Sequence, residues 1–172
     1  MSRRFGAAGL ALVVLTAAAG CGSGAGPLGE RKGSGPGFNT VGLPVKTHQF
    51  AVTALPLDPR VIDRPLELLG VRLLHPEDAH GLAIRYAAKT IRAAAIGGSR
   101  GWRPAARGLK PLNGYLVHAH TPTEIVIGAA AAKPGVYRLR GFIVDYRIRG
   151  SHYHAPQHLE LEVCAGRRSC PG

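Results

Sequence analysis

The stretch KPGVYRLRGFIVDYRIRG, Lys133 to Gly150, decides the fold. Pro134 and Gly135 open it as a turn. Tyr137 and Leu139 then share one face, with Arg138 and Arg140 opposite. After Gly141 the phase flips. Phe142, Val144, Tyr146 and Ile148 share a face, with Asp145, Arg147 and Arg149 opposite. On a straight strand one of these apolar sets would be turned out to water, because a one-residue shift exchanges faces. Burying both sets requires a β-bulge, or a strand that changes sheets, and glycine supplies the backbone freedom. A bend is therefore predicted at Gly141.

The flanking segments follow the same two-residue period. HLELEVC alternates, with Leu159, Leu161 and Val163 inward. Upstream, PLELLGVRLL (Pro65 to Leu74) reads as a strand and HPEDAHG (His75 to Gly81) as a turn. In LAIRYAA, Leu82, Ile84 and Tyr86 lie on one face and Arg85 on the other. GYLVHAH and EIVIGA are separated by TPT, the spacing of a hairpin. Only Ala87 to Ile96 has the composition of a helix. Short strands at this spacing predict an all-β sandwich over residues 47–172. KPGVYRLRGFIVDY also resembles the late strands of immunoglobulin-like domains, in which a tyrosine soon after a turn stabilises the corner. The resemblance gives that role to Tyr137. It departs from the family at Leu139, where the usual cysteine would stand.

The N-terminus sets the address. Arg3 and Arg4 precede an apolar segment, Phe5 to Leu15, and small residues from Thr16 to Gly20. This order predicts an export signal over residues 1–20. The apolar run is shorter than the roughly 20 residues of a membrane span. Ala18-Ala19-Gly20-Cys21 resembles the lipobox of bacterial lipoproteins, with Ala18 where leucine is usual. The resemblance implies a diacylglyceryl group on the Cys21 thiol, cleavage before Cys21, and a location on the extracytoplasmic face of the cell membrane. Ser2-Arg3-Arg4-Phe5 is also similar to a twin-arginine start, but the phenylalanine sits one place early, so general secretion is the expected route. Residues 21–46, rich in glycine and proline, read as a flexible tether, with an expected span of about 25–30 Å over its first 23 residues or so.

The chain has 172 residues, with 22 Lys and Arg against 10 Asp and Glu, a formal charge of +12. Abundant alanine, glycine, arginine and proline, together with the lipobox, resemble lipoproteins of actinobacteria. An exported protein of this charge is drawn to anionic lipid or wall polymer. Nucleic acid is not an expected partner, since no basic helix or aromatic-basic interleaving is present. With Cys21 assigned to lipid, Cys164 and Cys170 remain as a pair, and an exported location permits their disulfide. Closing so short a loop contributes about 2–3 kcal/mol on the chain-entropy model.

Three patterns carry candidate chemistry. Gly97-Gly98-Ser99-Arg100-Gly101 matches the G-x-S-x-G nucleophile elbow, but Trp102-Arg103-Pro104 does not open a helix with ease, so a glycine-rich loop is expected. Gly24 to Gly29 matches G-x-G-x-x-G without a preceding strand, which argues against a dinucleotide site. His118 and His120 are spaced to share one face of a strand, and His152 and His154 repeat the spacing. If the two pairs met, their imidazoles would suit Zn²⁺ or Cu²⁺. Against a dedicated site, no carboxylate or cysteine stands among them at a familiar metal spacing. Trp102 and Tyr115, flanked by RPAARGLKP, suggest an aromatic-basic patch; Trp102 in the core is the favoured alternative. The expectation is a non-enzymatic binding or envelope-accessory module without a cofactor. A histidine metal protein and a small hydrolase using Ser99 are the alternatives. The binding surface is expected in loops such as Gly97 to Lys110.

Overall fold

The computed structural model describes residues 26–29, 39–92, 98–103 and 108–171. It is an all-β sandwich. The strands are β1 (Asn39–Val45), β2 (Ala51–Leu57), β3 (Leu66–Leu73), β4 (Leu82–Thr90), β5 (Gly98–Arg100), β6 (Tyr115–Val117), β7 (Thr123–Ala131), β8 (Gly135–Ile148) and β9 (Ser151–Ala165). One sheet has the order β1-β9-β8-β3-β6 and the other β4-β7-β2-β5. The order β9-β8-β3 over β4-β7-β2 matches the strand order of immunoglobulin-like sandwiches.

The bend at Gly141 is present. The β8–β9 register shifts between Arg140 and Phe142. Gly141 takes φ +78°, and a Cβ there would lie 3.0 Å from Leu74 Cδ2. Leu139, Phe142, Val144, Tyr146 and Ile148 are buried, while Tyr137 packs at the edge of the core. The Tyr137 hydroxyl donates to Lys133 O at 3.1 Å. That is the corner bond expected of a tyrosine at this point.

Four expectations need correction. GYLVHAH and EIVIGA do not form a hairpin: β6 pairs with β3 in one sheet and β7 with β2 and β4 in the other. Pro122 has no N–H for a ladder, and the backbone turns at His120, φ +54°. Ala87 to Thr90 belong to β4, not to a helix, because ladder pairing with Thr123 to Val126 overrides alanine's local preference; residues 93–96 lie outside the described residues. His118 lies just beyond β6 and His120 in a turn, so they do not share a strand. Part of the tether expected over 21–46 is strand. Asn39–Val45 forms a strand parallel to β9, because Val41, Leu43 and Val45 alternate onto the core. Farther upstream, Leu28 is buried in the main core.

Candidate functional site

Charge is distributed unevenly. Each of the nine carboxylates among the described residues has a cationic partner. Across the outer face of the first sheet, Arg138 Nε donates to Glu162 at 2.7 Å and approaches Glu160, and Arg147 reaches Glu67 at 2.6 Å. Asp145 holds both Arg72 and His154. Arg140 grips Asp78 and approaches Glu77. Arg60, Arg64 and Lys89 hold Asp58, Asp63 and Glu124. The Arg140 hydrogen bonds hold the Asp78 carboxyl below the ordinary carboxylate range.

Four cations without an ion pair among the described residues gather elsewhere; Arg85, Arg92, Arg100, Arg103, Lys110 and Arg149 also lack one. Lys46 and His48 stand on the β1–β2 turn, Lys133 on the β7–β8 turn, and Arg167 and Arg168 in the loop after β9. Backbone bonds draw these three loops together: His48 N donates to Ala131 O and Gly166 N to Val45 O, both at 2.8 Å. Lys46, Lys133, Arg167 and Arg168 are exposed, and none is ion-paired among the described residues. Cys164 and Cys170 are bonded to each other, with Cα atoms 5.4 Å apart, and this closes the loop that carries the two arginines. Four cations on short, fixed loops attract anions at little further ordering cost. The sequence separates these residues by up to 122 positions (168 − 46), so only the topology brings them together.

The other candidates fall apart or take structural roles. His152, Arg147, Glu67 and Leu116 lie on one rung of the first sheet. His118 follows β6, which two intervening strands separate from β9. His120 Nδ1 lies 3.3 Å from Pro59 O, and His154 is engaged by Asp145. Among the described residues the one cluster of three ligand-type groups is Glu162, Cys164 and Cys170. Its sulfurs are joined to each other, so they do not offer thiolates to a metal. Ser99 lies inside β5, paired with Val52, and not on a strand-to-helix turn. Cys21 and Gly97 lie outside the described residues.

Trp102 is neither in the core nor in a patch with Tyr115. It is half-buried against the outer face of the second sheet, where a Cβ on Gly128 would come within 2.6 Å of its ring. Phe50 packs beside it, with centroids 6.0 Å apart, and the Arg85 guanidinium lies 4.9 Å from the Phe50 centroid. Tyr115 bonds Thr90 through its hydroxyl at 2.9 Å. Lys110 bridges to Ala88 on β4. The described parts of the Gly97–Lys110 region are engaged with the second sheet, and Gly97 and residues 104–107 lie outside the described residues. The chain matches no protein-family model, and no curated protein matches it in sequence.

Proposed function

We propose that this chain is a lipoprotein anchored through Cys21 at the extracytoplasmic face of the cell membrane, and that its sandwich is a non-enzymatic module binding an anionic envelope ligand. The lipobox resemblance supports the anchor. The observation that carries the binding role is the uneven charge. The described carboxylates are all spent on ion pairs, while Lys46, Lys133, Arg167 and Arg168 converge unpaired beside the Cys164–Cys170 loop. Paired charges cancel at a distance, so unpaired cations such as these four contribute most to the field that an approaching anion meets.

Two measurements test the reading. Cys21→Ala is expected to release the protein from the membrane fraction or leave it uncleaved; unmodified Cys21 in the mass of the mature membrane protein refutes the anchor. Co-sedimentation of the intact protein with insoluble anionic wall polymer tests the ligand. Replacing the four cations by glutamine is expected to lower retention at least tenfold in low salt, with the contrast shrinking as salt screens the charges. Equal retention of both proteins refutes the site.

A further inference from the structure

Gly26, Pro27, Leu28 and Gly29 occupy a slot in the sandwich. Leu28 is 5 % exposed and belongs to the main core. Its N–H faces the Tyr146 hydroxyl at 3.3 Å, and its carbonyl accepts from Gln157 Nε2 at 2.8 Å. Tyr146 stacks on Tyr153, with ring centroids 5.3 Å apart. Gly26, at φ +53°, lies so close to this pair that a Cβ would collide with the Tyr146 hydroxyl and come within 2.8 Å of Tyr153 Cδ1. An apolar anchor, two backbone hydrogen bonds and a position that admits only glycine make a specific seat.

The seat has a direction. Gly26 lies at Tyr153, two residues beyond the first residue of β9, and Leu28 at Gln157, farther along the strand. The segment therefore runs away from the β8–β9 turn, and β1 continues parallel to β9 from Leu159 onward. Cys21 precedes Gly26 by five residues, at most about 18 Å of extended chain. Tyr153 to Ala165 is twelve residues of strand, about 40 Å. An anchor at Cys21 thus reaches the turn end of the sandwich much more readily than the disulfide end. The turn end suits a headgroup layer: Asp58, Asp63 and Glu67 are each neutralised by an arginine, and Arg149 at the turn is exposed.

We propose that Gly26–Gly29 is a docking clip that holds the lipid-anchored sandwich with its β8–β9 turn against the membrane surface and its Lys46–Lys133–Arg167–Arg168 end facing outward. This rests on lipidation of Cys21. It selects an anionic wall polymer over the anchoring membrane as the ligand of the cationic end.

The test uses the mature lipoprotein in vesicles of phosphatidylethanolamine and phosphatidylglycerol carrying a fluorescent acceptor lipid. A donor dye is placed at Ser151→Cys, on the turn, or at Ala132→Cys, at the opposite end; both positions are exposed. Energy transfer from position 151 is expected to exceed that from position 132 severalfold. Gly26→Val or Leu28→Ser, by unseating the clip, should bring the two values together while the protein stays vesicle-bound. Equal transfer from both ends in the otherwise unaltered protein overturns the orientation. An unchanged contrast in a folded, vesicle-bound Gly26→Val protein overturns the clip. Failure to float with the vesicles is a separate outcome, which counts against lipidation and so overturns the proposal at its base.

Discussion

The two outer faces of the sandwich solve the same problem in opposite ways. The outer face of the β1-β9-β8-β3-β6 sheet is tiled with ion pairs: Arg138 on Glu162, Arg140 on Asp78, Arg72 on Asp145, Arg147 on Glu67. Its arginines are half-exposed to water. The outer face of the β4-β7-β2-β5 sheet carries Val52, Ala87, Val126, Gly128 and Ala130, with Val52 paired to Gly128 and Ala87 to Val126. Most of these are small, and the four with side chains are at most 5 % exposed; Trp102 and Phe50 lie over Gly128. The first face is held by charge and alternation. The second, apart from the Lys89–Glu124 ion pair, is held by shape, because small side chains let a large aromatic ring approach the backbone closely.

The contrast predicts where each sheet is most vulnerable. In the charged sheet the weak point is Gly141. A valine there must adopt a left-handed backbone and also press on Leu74, 3.0 Å from its Cβ. Strain of that kind costs about 1–3 kcal/mol before the steric term is added. Gly141→Val is expected to destabilise the domain by about 3 kcal/mol in urea melts. A midpoint equal to that of the unaltered protein would show that the bend tolerates side chains and that β8 is less constrained than its pattern implies.

In the shape-held sheet the corresponding position is Gly128. Its added Cβ meets Trp102 Cε3 at 2.6 Å and Cζ3 at 2.9 Å. The ring is only half-buried, so Gly128→Ala is expected to cost about 1–2 kcal/mol. Its signature is optical. As the single tryptophan of the chain, Trp102 should shift its emission to longer wavelength as the ring lifts into water. Emission that stays in place alongside a full stability loss would put the damage elsewhere in β7.

The same contrast explains what could be read in advance. Alternation in β8 and β9 reports directly which face is buried, since the opposite face is charged. The bend at Gly141 follows from the chain alone, while the role of Tyr137 follows from the resemblance to immunoglobulin-like strands. The run TEIVIGAAA in β7 has no such alternation. It is buried on both faces, and period-two reading needs one wet face. Pairing β6 with the following segment failed for a related reason: spacing suggests a hairpin but does not say which sheet each strand joins. The Cys164–Cys170 pair was accessible by counting. The cationic end was not, because Lys46, Lys133 and Arg167 come from three separate loops. Leu28 was hidden by its setting, a lone apolar residue in a glycine- and proline-rich stretch whose composition points to a tether.

The smallest expected effect lies in one ion pair of the charged face and should differ from the Gly128 effect in kind. Asp78, its side chain 8 % exposed, accepts from Arg140 through the backbone N–H at 3.0 Å and through the guanidinium at 2.7 and 3.0 Å. These bonds depress its folded pKa. A carboxyl with a depressed folded pKa binds its proton more weakly folded than unfolded. Its contribution is therefore fully present above the unfolded value, about 3.9, and is lost as pH falls through the folded value. Asp78→Asn keeps an acceptor for the Arg140 N–H but removes the charge. Arg140 is half-exposed, so water screens much of the pair, and a loss of about 1 kcal/mol at pH 7 is expected. Urea melts at pH 7, 4 and 2.5 should show the gap between the two proteins closing as the pH falls. The gap produced by Gly128→Ala, which is steric, should stay nearly constant over the same range. A constant gap for Asp78→Asn would mean that this face, too, is held chiefly by packing, and the division between the two sheets would lose its basis.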